Sequence, residues 1–245
     1  MQNLKRIMCT VKYDGANFNG YQIQPKGRTV QKEIERALRK VCKKEIVIHS
    51  SGRTDAGVHA LGQRFHFDSD INMDATRYKE ALNRLLPRDI YILKSEQVDS
   101  EFHSRFNALT KEYHYKLSTN EYDPLKCNYI HYRRRALNFE RMKEAMKYFL
   151  GTHDFTSFSA NLDDISKVRT IYKAELICDD GEYVFTFIGT GFLKYMVRIM
   201  VGTVIQVGEG KKNPEDIISI IEKRDRFFAG PTAKSEGLYL HSVQF

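Results

Sequence analysis

An antiparallel hairpin is encoded by residues 168–188, which read VRTIYKAELICDDGEYVFTFI. Strand-forming residues fill both arms, and the Asp179-Asp180-Gly181 tripeptide between them is a strong hairpin signal. Apolar residues at helical spacing precede the hairpin from Phe139 to Phe149, and a mostly apolar helix is expected after it from Leu193 to Val207. This half of the chain therefore combines an antiparallel sheet with helices.

The first half of the chain predicts the element order β-α-β-β-α-β. The expected elements are a strand at 7–13, a helix at 30–42 with Thr29 as N-cap, strands at Glu45–His49 and 64–68, a helix capped by Asp74 and stopped by Pro87, and a strand from Ile90. The second half repeats this order loosely. We therefore expect an α+β protein with two similar α/β domains, each an antiparallel sheet with helices packed on one face and the active cleft between them. The expected boundaries are 1–105 and 106–245.

The amino-acid composition limits the classes of function that the chain can have. The 245 residues include 39 Lys and Arg against 31 Asp and Glu, a net charge of +8, which favours an acidic partner such as nucleic acid. Four cysteines without paired spacing indicate reduced thiols, and no apolar run or signal peptide predicts a membrane or secreted protein, so a cytoplasmic location is expected. Basic residues cluster at 36–44, 133–135, 211–212 and 223–226; the first cluster would form a stripe on a helix, either a phosphate-tracking surface or a solvated face.

A dense polar segment, SSGRTDAGVHA at residues 50–60, lies between two predicted strands. Glycines bracket Arg53-Thr54-Asp55, and glycine allows close backbone approach. Asp55 held beside an arginine would be ionised at pH 7 and could act as a nucleophile or a base. The alternative is an Asx-type turn in which Asp55 only accepts hydrogen bonds from nearby amides.

The segment GRTDAGVHA at 52–60 resembles the catalytic loop of the tRNA pseudouridine synthase A family. Further blocks resemble that family in the same order along the chain. They are YDGANFNGYQIQP (13–25), TVQ (29–31), LNRLLPRDI (82–90), FHSRF (102–106), KEYHY (111–115), GTHDF (151–155), GFLKYMVR (191–198), AGPTA (229–233) and GLYL (237–240). Tyr21, Ser50-Ser51, His114 and Lys234 depart from the family's usual residues, and the resemblance implies that these departures bear on fine RNA contacts and leave the chemistry intact.

The resemblance implies a role for each matching residue. Asp55 corresponds to the catalytic aspartate, Arg53 to the arginine that helps hold the flipped nucleotide, Tyr113 to the tyrosine that stacks on the target uracil, Arg198 to the arginine that pairs with the carboxylate, and Leu238 to the hydrophobic lining of the pocket. It further implies a homodimer, no membrane association, and isomerisation of uridine to pseudouridine at positions 38, 39 and 40 in the tRNA anticodon stem-loop. Because that reaction gains neither atoms nor electrons, we expect no cofactor and no metal.

Three questions stay open at this point. Asp55 could attack C1′ of the sugar, attack C6 of the uracil, or remove a sugar proton. A non-catalytic tRNA-binding protein or chaperone would share the charge and the aromatic residues, without giving a reason for Asp55 in its loop. A nucleoside-cleaving hydrolase would use the same carboxylate and would release free uracil.

Overall fold

The computed structural model describes residues 4–160 and 166–245, and the chain divides into two compact units. Unit 1 holds Met1–Leu109 and Leu240–Phe245, and unit 2 holds Thr110–Tyr239. The chain passes from unit 1 into unit 2 after Leu109 and returns to unit 1 after Tyr239, within the last strand, β10 (Leu238–Gln244). The C-terminus is tied to unit 1 by a hydrogen bond from the Leu109 amide to the Gln244 carbonyl oxygen at 2.9 Å.

Unit 1 has the predicted β-α-β-β-α-β order among its described residues. The elements are β1 (Lys5–Tyr13), α1 (Val30–Cys42), β2 (His49–Ser50), β3 (His59–Ser69), α2 (Arg77–Asn83) and β4 (Ile90–Val98). Strand β1 pairs antiparallel with both β3 and β4, and β2 pairs antiparallel with β3.

Both helices of unit 1 pack on one face of this sheet. Alternate residues of β3 point to the same side, and on that side the ring of Phe67 meets the ring of Tyr78 from α2 edge-on at 5.3 Å. Two positions further along β3, the Ser69 hydroxyl accepts from the Tyr78 hydroxyl at 2.6 Å and lies 4.0 Å from the Cys42 sulfur of α1. The apolar stripe of α1 is buried with them.

Unit 2 is a second sheet with helices. In chain order its described elements are β5 (Thr110–Ser118), β6 (His131–Tyr132), α3 (Phe139–Lys147), β7 (Gly151–Asp154), β8 (Val168–Asp179), β9 (Glu182–Gly189), α4 (Met196–Gly208) and α5 (Asp216–Lys223). The strands run in the order β5-β9-β8-β7 with antiparallel pairing, and the two-residue β6 pairs parallel with β5.

The predicted hairpin forms β8 and β9. Asp180 and Gly181 both have positive φ, 42° and 73°, as a two-residue type I′ turn requires. One face of β9 buries Phe185 and Phe187, and the Phe149 ring after α3 meets Phe187 edge-on at 6.2 Å. The α+β class is thus confirmed, with a mostly antiparallel sheet and helices in each unit.

Two local predictions need correction, and a third is confirmed in position. The strand expected at Glu45–His49 is reduced to His49–Ser50. Thr29 occupies the predicted N-cap position of α1, and its side chain makes no capping hydrogen bond. Asp74 binds the Thr76 amide at 2.8 Å in a turn before α2, which starts only at Arg77. Among the described residues, every helix is too short or too polar to cross a membrane.

Candidate functional site

Asp55 lies in the loop that joins β2 to β3 in unit 1. It is half-buried, and Arg53 in the same loop is exposed. The start of the loop is fixed by Gln63 of β3, which accepts from the Ser51 hydroxyl at 2.5 Å and donates to the Gly52 carbonyl oxygen at 2.9 Å. The loop therefore begins from a point that is hydrogen-bonded to the sheet.

Thr54 anchors the loop immediately before Asp55. Its hydroxyl shares a hydrogen bond of 2.7 Å with the Tyr13 hydroxyl, and both groups are buried. The Thr54 carbonyl oxygen accepts from the Tyr21 amide at 3.0 Å. Burial raises the pKa of Tyr13, against a smaller lowering by Thr54 and Gln63, so the phenol remains a neutral hydrogen-bonding group at pH 7. The residue next to Asp55 is thus held through both its side chain and its backbone.

Glycines in the 13–25 block let its backbone lie against the Asp55 loop. A Cβ on Gly15 would lie 2.0 Å from the Val58 carbonyl oxygen, and one on Gly20 would lie 2.9 Å from the Thr54 carbonyl oxygen. Gly20 also has a φ of +88°, which disfavours any other residue. The 13–25 block therefore supports the loop that carries Asp55.

Two of the three candidate residues of unit 2, Tyr113 and Arg198, lie on different elements. Tyr113 is buried on β5, opposite Phe187 of β9, with its ring edge-on to Phe192 at 5.0 Å. Arg198 is half-buried on α4, where its guanidinium lies 5.1 Å from the centre of the Tyr195 ring. Each side chain is therefore placed by aromatic neighbours of the same unit.

The AGPTA segment at 229–233 clamps Arg198. The Arg198 Nε donates to the Ala233 carbonyl oxygen at 2.7 Å, and the Ala233 amide donates to the Arg198 carbonyl oxygen at 3.0 Å. The segment is seated on α4 by close contact, because a Cβ on Gly202 would lie 1.8 Å from the Pro231 carbonyl oxygen. The AGPTA segment therefore fixes the orientation of the Arg198 guanidinium.

A buried tyrosine that the sequence did not single out organises this part of unit 2. The Tyr115 hydroxyl donates to the Lys234 carbonyl oxygen at 2.9 Å and lies 2.8 Å from Nδ1 of His131. Burial raises its pKa, and the charge of Arg198 lowers it by a smaller amount. Gly237, directly before the buried Leu238, leaves no space for a Cβ beside the Tyr115 ring. The alternation of aromatics along KEYHY was the available signal, since it puts Tyr115 on the same face as Tyr113.

The departures from the family pattern have local explanations. Tyr21 is buried with its ring 6.2 Å from that of Tyr13, so it fills core space. Nε2 of His114 lies 2.8 Å from a carboxylate oxygen of Glu112, two residues away on β5. Lys234 contributes its backbone carbonyl to Tyr115 and directs its ammonium group towards Glu236 at 3.8 Å.

Two buried histidines, His59 and His66, serve the core of unit 1. Nδ1 of His66 accepts from the Ser104 amide at 3.2 Å, and burial lowers the pKa of His66 to about 4, helped by His103 and His49. Nδ1 of His59 accepts from the Gly15 amide at 3.0 Å. The basic stripe on α1 is partly neutralised, because Arg36 pairs with Glu33 and Arg39 with Glu45.

The side chains described above suit two kinds of chemistry. A loop carboxylate (Asp55) and a clamped guanidinium (Arg198) are suited to substitution at a sugar, and a buried aromatic (Tyr113) is suited to stacking of a base.

A family model described as tRNA pseudouridine synthase matches residues 9–107 and 145–245. The chain is 49% identical over 245 residues to tRNA pseudouridine synthase A 1 of Bacillus cereus (strain ATCC 10987 / NRS 248), with 99% of each chain covered. It is 47% identical over 243 residues to tRNA pseudouridine synthase A of Exiguobacterium sp. (strain ATCC BAA-1283 / AT1b), with 99% of this chain and 98% of that one covered. Over 244 residues it is 47% identical to tRNA pseudouridine synthase A of Geobacillus kaustophilus (strain HTA426), with 98% and 95% covered. The chain therefore belongs to the tRNA pseudouridine synthase family, whose members are isomerases.

Proposed function

We propose that this chain isomerises uridine to pseudouridine at positions 38, 39 and 40 in the anticodon stem-loop of tRNA, with Asp55 as nucleophile. The observation that carries the proposal is the anchoring of the Asp55 loop by Tyr13, Gln63 and the glycines of the 13–25 block, within a chain related over its full length to tRNA pseudouridine synthases A. Rigid support of this kind is what a reacting carboxylate needs.

The chemistry agrees with the side chains. Isomerisation breaks the N1–C1′ bond, turns the uracil and forms a C5–C1′ bond, so atoms and electrons balance within the substrate. A carboxylate serves this sequence by adding to C1′ of the sugar or to C6 of the base and leaving again when the new bond forms. Both points of attack agree with an Asp55 nucleophile.

The remaining candidates have supporting roles in this proposal. Tyr113 stacks on the target uracil once the nucleotide has left its helix, and Leu238 lines the pocket. Arg198 supplies the positive charge that keeps the catalytic carboxylate ionised, and Arg53 holds the nucleotide backbone. The proposal includes a homodimer in the cytoplasm with tRNA as its macromolecular partner.

The test uses transcribed tRNA with uridine at positions 38, 39 and 40, mapped by carbodiimide-stop primer extension. We expect new stops with the wild-type chain and none with Asp55→Asn. Asp99→Asn is the matched control, because Asp99 is exposed in the same unit and accepts a backbone amide at 2.8 Å. It removes the same charge and should leave the stops unchanged.

Binding and product analysis separate the alternatives. Asp55→Asn should bind tRNA with nearly the wild-type Kd, because phosphate contacts dominate affinity. Stops that persist in Asp55→Asn would contradict the nucleophile assignment. Tight tRNA binding by a wild-type chain that produces no stop would favour a tRNA chaperone, and release of free uracil would favour a hydrolase.

A further inference from the structure

An open groove lies at the end of β5 in unit 2. Its volume is about 610 Å³. It is lined by residues from two segments of the chain, Thr119, Asn120, Glu121, Arg134, Arg135 and Ala136. Both segments fall between the residue ranges matched by the family model, 9–107 and 145–245, so the features that define the family assign no role to this groove.

The β5 side of the groove is fixed by the β8–β9 hairpin. The Thr119 amide donates to the Gly181 carbonyl oxygen at 2.9 Å, and Nδ2 of Asn120 donates to the Asp180 carbonyl oxygen at 2.6 Å. The Asn120 amide donates to the Ser118 hydroxyl at 3.1 Å. These bonds hold the wall to the type I′ turn between β8 and β9.

The opposite wall is fixed by Arg133. Its amide donates to the Ser118 carbonyl oxygen at 2.8 Å, and its guanidinium forms an ion pair with Glu209 just beyond α4. Five residues on, the Asn138 amide donates to the Gly208 carbonyl oxygen at 2.9 Å. The short stretch between these anchors carries Arg134 and Arg135, so their backbone positions are set before any ligand arrives.

The positive charges of Arg134 and Arg135 are not neutralised by a neighbouring acidic side chain of the described residues. Both are exposed, and within the described part of the chain their guanidinium groups make no hydrogen bond and no ion pair. By contrast Arg133, Arg36 and Arg39 each face a glutamate. Glu121 is the single acidic residue among the six that line the groove, so the lining has a net positive charge.

We propose that this groove binds phosphates of the tRNA backbone, away from the nucleotide that reacts. Arg134 and Arg135 supply planar donors that suit phosphate oxygens. An RNA strand fits better than an acidic protein segment, because Ala136 is the one apolar residue among the six that line the groove, and no large apolar side chain there could anchor a protein side chain. The inference rests on the proposed function for the identity of the RNA.

The distance to the stacking tyrosine follows from the strand. Tyr113 and Thr119 are six residues apart on and just beyond β5, which corresponds to about 20 Å at about 3.4 Å per residue. The phosphates bound in the groove therefore belong to nucleotides remote from the target uridine. Their contacts should affect how tightly tRNA binds and should leave the rate of the chemical step unchanged.

The test is the double variant Arg134→Ala/Arg135→Ala, measured with a fluorescently labelled full-length tRNA transcript. We expect Kd and KM to rise about tenfold with kcat unchanged. The slope of log K against log salt should become shallower by about 1.5, as expected for the loss of two phosphate contacts. Arg134→Lys/Arg135→Lys keeps both charges and should restore most of the slope.

The matched control is Lys147→Ala/Lys173→Ala. It removes the same two charges from unit 2, but each lysine is paired with a neighbouring glutamate, Glu144 or Glu175. Both double variants should melt within about 1 °C of wild type, because none of the four side chains is buried. A salt slope that stays at the wild-type value, or that changes equally in the control, would overturn the proposal.

The binding measurement keeps the two proposals apart. A wild-type chain that produces no pseudouridine would refute the proposed function, while the salt slope, which needs no turnover, would still decide whether the groove binds tRNA. Pseudouridine formation with full affinity in Arg134→Ala/Arg135→Ala would refute the groove alone.

Discussion

The hydrogen bond between Tyr13 and Thr54 provides a direct test of how the candidate site is held. It joins a side chain of β1 to the residue before Asp55, and the two residues are 4% and 6% exposed. Tyr13→Phe leaves the buried Thr54 hydroxyl without its partner, which costs about 1–3 kcal/mol of unfolding free energy. Thr54→Val should cost less, about 1 kcal/mol, because Gln63 still interacts with the Tyr13 hydroxyl.

The double variant should be less destabilised than the sum of the single variants. With both hydroxyls gone, neither is left buried and unpaired, so the coupling between the two substitutions should be about 1 kcal/mol. Because Thr54 adjoins Asp55, the loss of the anchor should also slow single-turnover pseudouridine formation about tenfold while the Kd for tRNA stays unchanged.

The assay is urea unfolding of the four proteins together with single-turnover kinetics. Tyr78→Phe is the matched control, since Tyr78 and Ser69 form a buried hydroxyl pair at 2.6 Å in the same unit. It should lose similar stability and retain the wild-type rate. Strictly additive destabilisation, or an equal loss of rate in Tyr78→Phe, would refute the idea that the pair serves the loop.

Two further outcomes are expected. Gly202→Ala should lower both the Tm and the single-turnover rate, because its Cβ would lie 1.8 Å from the Pro231 carbonyl oxygen and displace the segment that holds Arg198; an unchanged rate would contradict the clamp. Acidification from pH 7 to pH 5 should lower the unfolding free energy by about 4 kcal/mol. Burial lowers the pKa of His66 and of His131 to about 4, so between about 4 and the ordinary 6.5 the unfolded chain binds more protons, and stability present above 6.5 is lost as the pH falls. Urea titrations at the two pH values check this, and a difference below about 1 kcal/mol would rule it out.

The fold was predictable where the sequence has long periodic elements. The β8–β9 hairpin is confirmed because its turn needs two residues with positive φ, and Asp-Gly supplies them. The helix at 30–42 is confirmed because its apolar residues recur at helical spacing. Strand β6 could not be predicted from the sequence, because a strand of two residues shows no periodicity. Its pairing with β5 is set by packing. No local sequence pattern indicates that residues 240–245 return to unit 1.

The sequence names the candidate residues, whose roles stay predictions, and it does not show what supports them. The glycines around Asp55 mark a loop with special backbone needs, and the resemblance to a family gives that loop a role. The partners of the loop are remote in sequence, since Tyr13 is 41 residues from Thr54, and only the fold reveals that they meet. The support of Arg198 is also remote in sequence, because the carbonyl oxygen that accepts from its guanidinium belongs to Ala233, 35 residues later.

The two kinds of polar interaction in this chain have separable tasks. The supports of Asp55 and Arg198 consist of buried hydroxyls and backbone carbonyls. These groups carry no net charge, so their strength depends little on ionic strength. The charges that could meet tRNA, such as Arg134 and Arg135, are exposed and are therefore screened by salt. A chain organised in this way can release and exchange a highly charged substrate without loosening the groups that we propose to react. For this reason substitutions at the buried hydroxyls should act on the chemical step, and substitutions at the exposed arginines on binding.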